Sequence, residues 1–540
     1  MLYRKFLKTI VCATALTLTT PFMAMQPAQA GTPADQLVIG MSMNNILTID
    51  PAALTGNDAM DIVVNTYDAV VELDPVQKDK VLPGLAIAWN VSSNGRVITF
   101  NLRDGVKFQS GNPVTADDVV WSWRRVVKLN LSQASYWKSY GFSADKIDEL
   151  VRSPSALTVE VELPTPIDPK LMIYTLATSA GGLVIDSKLA MEHAKDGDMG
   201  RDWLNTHTAG SGPFKLGVWR ANDVLMLNRD EDYWRGEPKL KRVIMQHMTE
   251  SQSLRLMLER GDIDIATGLS ITDIEALKKI PHIVVDPVLK GNVYYLAMSM
   301  KDDHFSNQKV REAVRYLIDY QGINKTIMPN YGVLHQRPVQ LGLAATLPEP
   351  GYKLDVERAK KLLAEAGYPD GFETTIRVLS DSPFRQIATS VQATLALGGI
   401  QAELMTGTGS QVYGAMRERK FEMLVGRGGG GAAPHPHSNL RAIAYNPDNR
   451  DEAKLTNFQG WRTSFQNDEL NDLIEKASRE VNDQKQKELY EKIQSLYEEL
   501  VPALMPISQV VYSVVLQKDI KDYIPHPSYT THLRDVYKER

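Results

Sequence analysis

Residues 84–123 read GLAIAWNVSSNGRVITFNLRDGVKFQSGNPVTADDVVWSW, and their patterning sets the local fold around which the rest of the chain is read. Val97, Thr99 and Asn101 alternate with Ile98, Phe100 and Leu102, which predicts a strand with one apolar face. Asp104-Gly105 supplies the positive-φ chemistry of a tight reversal. A short return strand is expected at Val106-Lys107-Phe108, broken by Gly111-Asn112-Pro113. Thr115 is placed to cap the following helix. Asp117 and Asp118 fall in its first turn, where the helix dipole favours carboxylates. Val119, Val120 and Trp123 give that helix its buried side.

The whole chain has 540 residues, 43% of them hydrophobic, and a net charge of −5. A chain this long exceeds what a single core usually serves, so two or three lobes are expected. The first thirty residues hold Arg4, Lys5 and Lys8 and no acid. Thr9 to Thr20 is moderately apolar, and Ala28-Gln29-Ala30 offers a small-residue cleavage site, the arrangement of a secretory signal. As a membrane span this segment is too short and too rich in threonine to cross ~30 Å of hydrocarbon. Without it, 57 basic residues face 65 acidic ones, a net −8. That balance argues against a nucleic-acid partner, which would call for a basic stripe. The only cysteine, Cys12, lies inside the expected signal. Thr9-Ile10-Val11 before it makes a poor lipid-attachment sequence, so a freely soluble periplasmic protein without disulfides is expected.

Several stretches are family wording. Trp89, Gly95, the run Phe100–Phe108 and the run Pro113–Val119 closely resemble the signature of the family 5 extracellular solute-binding proteins, the peptide-type receptors of ABC importers. Gly210-Ser211-Gly212-Pro213-Phe214, Asp232-Tyr233-Trp234 and the helix Val310–Asp319 continue the resemblance, which covers essentially all of 37–540. It implies an α/β, two-lobed periplasmic-binding-protein fold (type II, peptide-binding-like) with an extra small subdomain. The corresponding organisation is a signal peptide at 1–30, lobe I from 31–80, 210–290 and 507–540, the small subdomain at 81–209, and lobe II at 291–506. Crossings near Val293–Met298 and Pro506–Tyr512 would form the hinge.

Residue patterns refine this frame. Asn57–Tyr67 reads as a helix, and helices are also expected at 354–366, 385–397, 468–482 and 484–499. Strands are expected at Ile376–Leu379, Gln401–Met405 and Met423–Val425. In Gly261-Asp262-Ile263-Asp264-Ile265-Ala266 the two aspartates read as the exposed half of an alternating strand.

Enzyme chemistry finds little footing. Gly426-Arg427-Gly428-Gly429-Gly430-Gly431 satisfies G-x-G-x-x-G, but Pro434 and Pro436 follow where a dinucleotide site needs a helix N-terminus. There is no G-x-S-x-G, H-E-x-x-H or Walker A run, and no cofactor is expected. His435 and His437 share one side of an extended segment, yet two ligands do not make a metal site. Solvated loop histidines are the plainer reading.

The expected ligand contacts are Asn44 and Asn45 from lobe I, Trp137 from the small subdomain, and Arg427, His435 and Asn439 from lobe II. Aromatics spaced like Tyr136, Trp137 and Tyr140 are more often core than a ligand platform, whereas Tyr445 and Trp461 can equally stack on a ligand or pack in the core. Arg427, beside glycines, suits bidentate capture of a carboxylate or phosphate. The resemblance also carries a departure. Dipeptide-binding relatives hold the peptide ammonium with an aspartate in the stretch matching Gly426–Leu440, where this chain has no acid. The position of their carboxylate-binding arginine falls near Leu379 or Ser380. Unpaired ligand charge costs several kcal/mol, roughly, so free dipeptides are disfavoured.

The resulting expectation is a monomeric, non-enzymatic receptor that passes a small solute to ABC permease subunits in the inner membrane. Its ligand would be a modified peptide, an opine-like conjugate, an oligopeptide or an oligosaccharide. An opine or oligosaccharide receptor and a chemosensory binding protein are the alternatives.

Overall fold

Two antiparallel strands, Ile283–Met298 and Leu504–Gln517, run side by side through both halves of the molecule. The computed structural model describes residues 31–55, 58–430, 433–528 and 530–540, so the expected signal at 1–30, with Cys12, lies outside the described residues. Val293–Met298 and Leu504–Val510 are buried throughout, as strands covered on both faces require.

Both strands belong to an eleven-stranded sheet. On one side lie Ile265–Ala266 and Gln36–Met41, then Arg242–His247, which runs parallel to Gln36–Met41. The strands Val224–Arg229 and Phe214–Arg220 complete that side. On the other side Met423–Gly428, Glu373–Leu379 and Gln401–Gly407 are mutually parallel. Each half has its own core: Leu37, Ile49 and Phe214 are buried in the first, Phe305, Ile376 and Val425 in the second. The molecule is therefore a two-lobed α/β protein.

Between the halves the two long strands lose register. Ile283–Leu289 pairs with 511–517, and pairing resumes only at Val293 with Gln509. Such an irregularity bends a strand and re-aims a side chain. Here the displaced residues are Lys290, Gly291 and Asn292.

The opening stretch folds as its patterning indicates. Ala86–Val91 and Val97–Leu102 pair as a hairpin in a four-stranded antiparallel sheet completed by Thr158–Glu162 and Val151–Ser155. Ile98, Phe100 and Leu102 enter the core, and Gly105 turns the chain at φ 76°. The expected return strand shrinks to one bridge, Lys107 to Pro113, because Gly111 and Pro113 leave no run to pair. The helix Ala116–Leu129 starts where expected. The Asp118 carboxylate accepts from the Thr115 backbone N–H at 3.0 Å and its hydroxyl at 2.7 Å.

Gly212 joins this small lobe's exit to the first half. A Cβ there would sit 2.6 Å from the Thr66 carbonyl carbon, so the approach admits only glycine. The helix expected over Asn57–Tyr67 is seen as Met60–Thr66, and Gly56 and Asn57 lie outside the described residues.

The aspartates of 261–266 require a correction. Asp262 is exposed, but Asp264 is wholly buried. Its carboxylate accepts from Val38 N–H at 2.7 Å and pairs with Lys538 Nζ at 2.6 Å. The strand is only Ile265–Ala266 and sits mid-sheet. Residue 264 thus faces the packed C-terminal segment instead of solvent.

Candidate ligand-binding site

The register break delivers Lys290 to a cavity of about 140 Å³ where the two halves meet. The first half supplies its apolar floor, Ile39 and Met41 from the first strand and Met245 from its parallel neighbour. Asp58 and Asp61, at the entry of the helix Met60–Thr66, line one wall. Tyr512 of the second crossing strand and Tyr523 of the C-terminal segment add aromatic surface. The second half contributes Arg427.

The polar groups interact electrostatically. Burial pushes the Asp61 carboxyl up, against the pull of the Lys290 ammonium, and the nearby Asp58 charge adds to the rise. Burial pushes Lys290 down, and Asp61 resists. Lys290 Nζ donates to the His526 carbonyl at 2.8 Å and stands 5.7 Å from the Tyr512 ring centre. Two carboxylates and two cations around apolar and aromatic walls make a site for a ligand carrying charge of both signs.

The six expected contact residues are dispersed. Arg427 reaches the cavity from the strand Met423–Gly428, opposite Tyr294, and its guanidinium carbon lies 5.8 Å from the Phe384 ring centre. Asn44 and Asn45 are exposed in the loop after the first strand. Asn45 Nδ2 donates to Asp58 at 3.2 Å and so touches the cavity wall from behind. Trp137 is wholly enclosed in the small lobe, 5.7 Å from Trp123 and 5.2 Å from Phe142 between ring centres. Asn439 is also buried. Its Nδ2 donates at 3.0 Å to both Gly291 O and Gly429 O, tying the glycine run to the displaced residues of the crossing strand.

His435 sits where the small lobe touches the second half. Its ring is 5.9 Å from Tyr174, its Nε2 is 3.3 Å from Gln486 Oε1, and Gln486 in turn donates to Asp168 at 3.0 Å. Asp168 N–H donates to Ser478 O at 2.7 Å, and Lys170 pairs with Asp483 across the same seam. His435 also caps the helix Pro436–Ala444, its ring accepting from His437 N–H at 3.2 Å.

That helix overturns the expectation that prolines exclude one after the glycine run. Pro436 occupies the first turn, where its fixed φ suits a helix start. His437 is buried and His435 half-buried instead of solvated, because the helix presses both against Tyr490. Burial drives the His435 ring down to about 4 and His437 well below its usual range. The glycines are packed as well. A Cβ on Gly430 would lie 2.5 Å from the Gly291 carbonyl carbon, so this run permits close approach of two backbones. Tyr445 and Trp461 are core residues, Tyr445 donating to Glu475 at 2.5 Å and Trp461 to Arg450 O at 3.0 Å.

Sequence reasoning missed Asp58, Asp61 and Lys290. No motif marks them, and only the register break and the sheet order bring them together. The one available signal was two acids three residues apart, at the start of the helix Met60–Thr66.

A family model described as bacterial extracellular solute-binding proteins, family 5 Middle, matches residues 80–451. The probable D,D-dipeptide-binding periplasmic protein DdpA of Escherichia coli (strain K12) is 28% identical over 533 residues, covering 95% of each chain. Heme-binding protein A of Haemophilus influenzae is 26% identical over 489 residues, covering 85% of this chain and 84% of its own. Among solved structures, the periplasmic binding protein DppA of Helicobacter pylori in complex with peptide STSA superposes with a TM-score of 0.75. That likeness, at 24% identity, covers 94% of this chain and 98% of the other, and it speaks to the fold alone.

Proposed function

This chain belongs to the bacterial extracellular solute-binding proteins of family 5, and from that premise we propose that it captures a peptide-like solute between its lobes for an ABC importer. The observation that carries the reading is the cavity itself, with Asp58, Asp61 and Lys290 on one side and Arg427 on the other. A ligand that touches both halves favours the closed arrangement. A near-complete switch needs a preference for that state on the order of 5 kcal/mol. Permease subunits would then receive the closed form, and a separate ATPase would drive release. The receptor works as a monomer in the periplasm after cleavage near Ala30, and it carries out no chemistry of its own.

The range of relatives supports reading the ligand from the site. One relative is named for D,D-dipeptides and another for heme. A non-peptide cargo, such as an opine or oligosaccharide, remains the second reading, because residues 426–440 carry no acid to meet a peptide ammonium. Asn44, Asn45, Trp137, His435 and Asn439 are proposed to shape the surroundings of the ligand through the loops and packing they hold, with Arg427 as the direct contact.

Native mass spectrometry of the freshly purified protein, followed by denaturation, tests this. A bound small molecule of peptide-like mass is expected. Arg427→Ala should lose at least about tenfold in affinity for an anionic ligand. A sugar or other non-peptide mass would replace the peptide-like reading, and unchanged affinity would remove Arg427 from the site.

A further inference from the structure

The small lobe belongs mechanically to the first half. Its core takes in Ala52, Val70 and Val71, and Gln133 Nε2 donates to Leu54 O at 2.8 Å. It nevertheless reaches the second half directly, apart from the two crossing strands. The small lobe's helix Pro169–Thr178 starts against the short connection between the helices Asp468–Arg479 and Asp483–Glu499. Asp168, the N-cap of that first helix, is only 2% exposed and bonds across the seam twice. Its N–H donates to Ser478 O at 2.7 Å, and its Oδ2 accepts from Gln486 Nε2 at 3.0 Å. Lys170 pairs with Asp483 at the rim, where solvent leaves the pair little weight. None of these residues lines the cavity.

The seam is not fully satisfied when joined. Tyr490, of the helix Asp483–Glu499, is buried with its hydroxyl enclosed and without a hydrogen-bond partner among the described residues. Burial, with the charge of Asp168 and the nearby Tyr140 of the small lobe, holds that hydroxyl well above its usual range. It therefore stays a neutral donor with nothing to donate to. Parting the seam returns it to water, which offsets part of the bonds lost and brings the joined and parted states nearer in free energy.

We propose that Asp168 and Gln486 form a clasp that sets the open–closed balance of the receptor. Joined, the clasp holds the small lobe, and the first half behind it, against the second half. It tunes affinity without touching the ligand, so both are positioning residues. This adds a regulator to the receptor reading above and rests on that reading for what closure serves. Apparent affinity scales with the fraction of molecules already competent to bind, so weakening the clasp weakens binding from a distance.

Single-molecule fluorescence transfer on ligand-stripped full-length mature protein tests the clasp, with labels on cysteines introduced at exposed Leu256 and Leu397. A closed population should be present before any ligand is added. Asp168→Asn should lower the closed-to-open ratio about tenfold or more. Asparagine keeps an oxygen for the cap, which accepts from Lys170 N–H, but turns an amide NH₂ toward Gln486 Nε2. Gln486→Met leaves the cap untouched and should give a similar loss, and the double variant should lose no more than the larger single loss. A merely structural role would lower the urea midpoint and leave the ratio unchanged.

No closed population in the ligand-free wild type would overturn the clasp. So would an unchanged ratio in either folded variant, or losses that simply add in the double variant. An alanine dipeptide and an alanine tetrapeptide serve as probes of the receptor reading. If neither raises the closed fraction of the wild type, the peptide-like reading falls, while the clasp is still judged on the ligand-free ratios. A probe that does bind should bind Asp168→Asn about tenfold more weakly, and equal affinity would overturn the tuning.

Discussion

Lowering the pH from 7 to 5 should cost the folded protein on the order of 4 kcal/mol of unfolding free energy. The cause is a set of imidazoles buried neutral. Burial lowers His435 and His532 to about 4 and His526 to about 3, and it takes His437 well below the usual 6.5. Between the unfolded value and these folded values, the unfolded chain binds more protons than the native one. Stability is therefore present above about 6.5 and is lost as pH falls, by up to ~1.4 kcal/mol per pH unit for each group. The His437 ring nitrogens, His526 Nε2 and His532 Nδ1 are enclosed with no hydrogen-bond partner among the described residues, and only His532 faces an acid, its Nε2 lying 3.8 Å from Glu72 Oε2. Asp61, Asp68 and Asp168, which burial pushes up, oppose the effect and limit its size. Urea unfolding at pH 7 and pH 5 reads it directly. Equal midpoints would contradict it.

A comparable loss, about 3–5 kcal/mol, is expected from Arg125→Met. Arg125 and Asp50 are both wholly buried and paired side on, each Nη donating to one Asp50 oxygen at 2.7 Å. Arg125 Nε donates to Met199 O at 2.8 Å, and Asp50 also accepts from Ala52 N–H at 2.9 Å. The pair ties the small lobe's helix Ala116–Leu129 to the loop after the first strand. Removing the guanidinium leaves a buried carboxylate with nothing to balance it, and that imbalance outweighs the lost contact. The double variant Asp50→Leu/Arg125→Met should recover much of the loss, since two apolar groups leave no charge behind. A single variant with an unchanged urea midpoint would contradict the account.

The sequence made the small lobe and the second half legible for a simple reason. The alternation of 97–102, the Thr115 cap and the amphipathic runs at 356–365 and 483–499 are local patterns, and each folds where its own spacing places it. What failed was long-range. Asp264 looks exposed by alternation, but Lys538, 274 residues away, encloses it. Trp137 and Asn439 look available to a ligand, but neighbours distant in the chain turn one into core and the other into a backbone tie. The prolines at 434 and 436 read as helix breakers, although one of them starts a helix. The cavity was the least legible feature, because Asp61, Lys290 and Arg427 converge only through sheet order and a register break. Of the residues expected to contact a ligand, Arg427, singled out by its glycine-rich context, is the one that lines this cavity.

The central claim is that ligand is held between two lobes that close on it. Its most direct test is the distance between one label on each lobe. Cys12, the only cysteine, lies in the expected signal, so cysteines introduced at exposed Leu256 and Leu397 can be labelled cleanly. Fluorescence transfer between them should rise as the ligand recovered by mass spectrometry is added, saturating with its binding curve. Saturable binding with no change in transfer would contradict capture by closure.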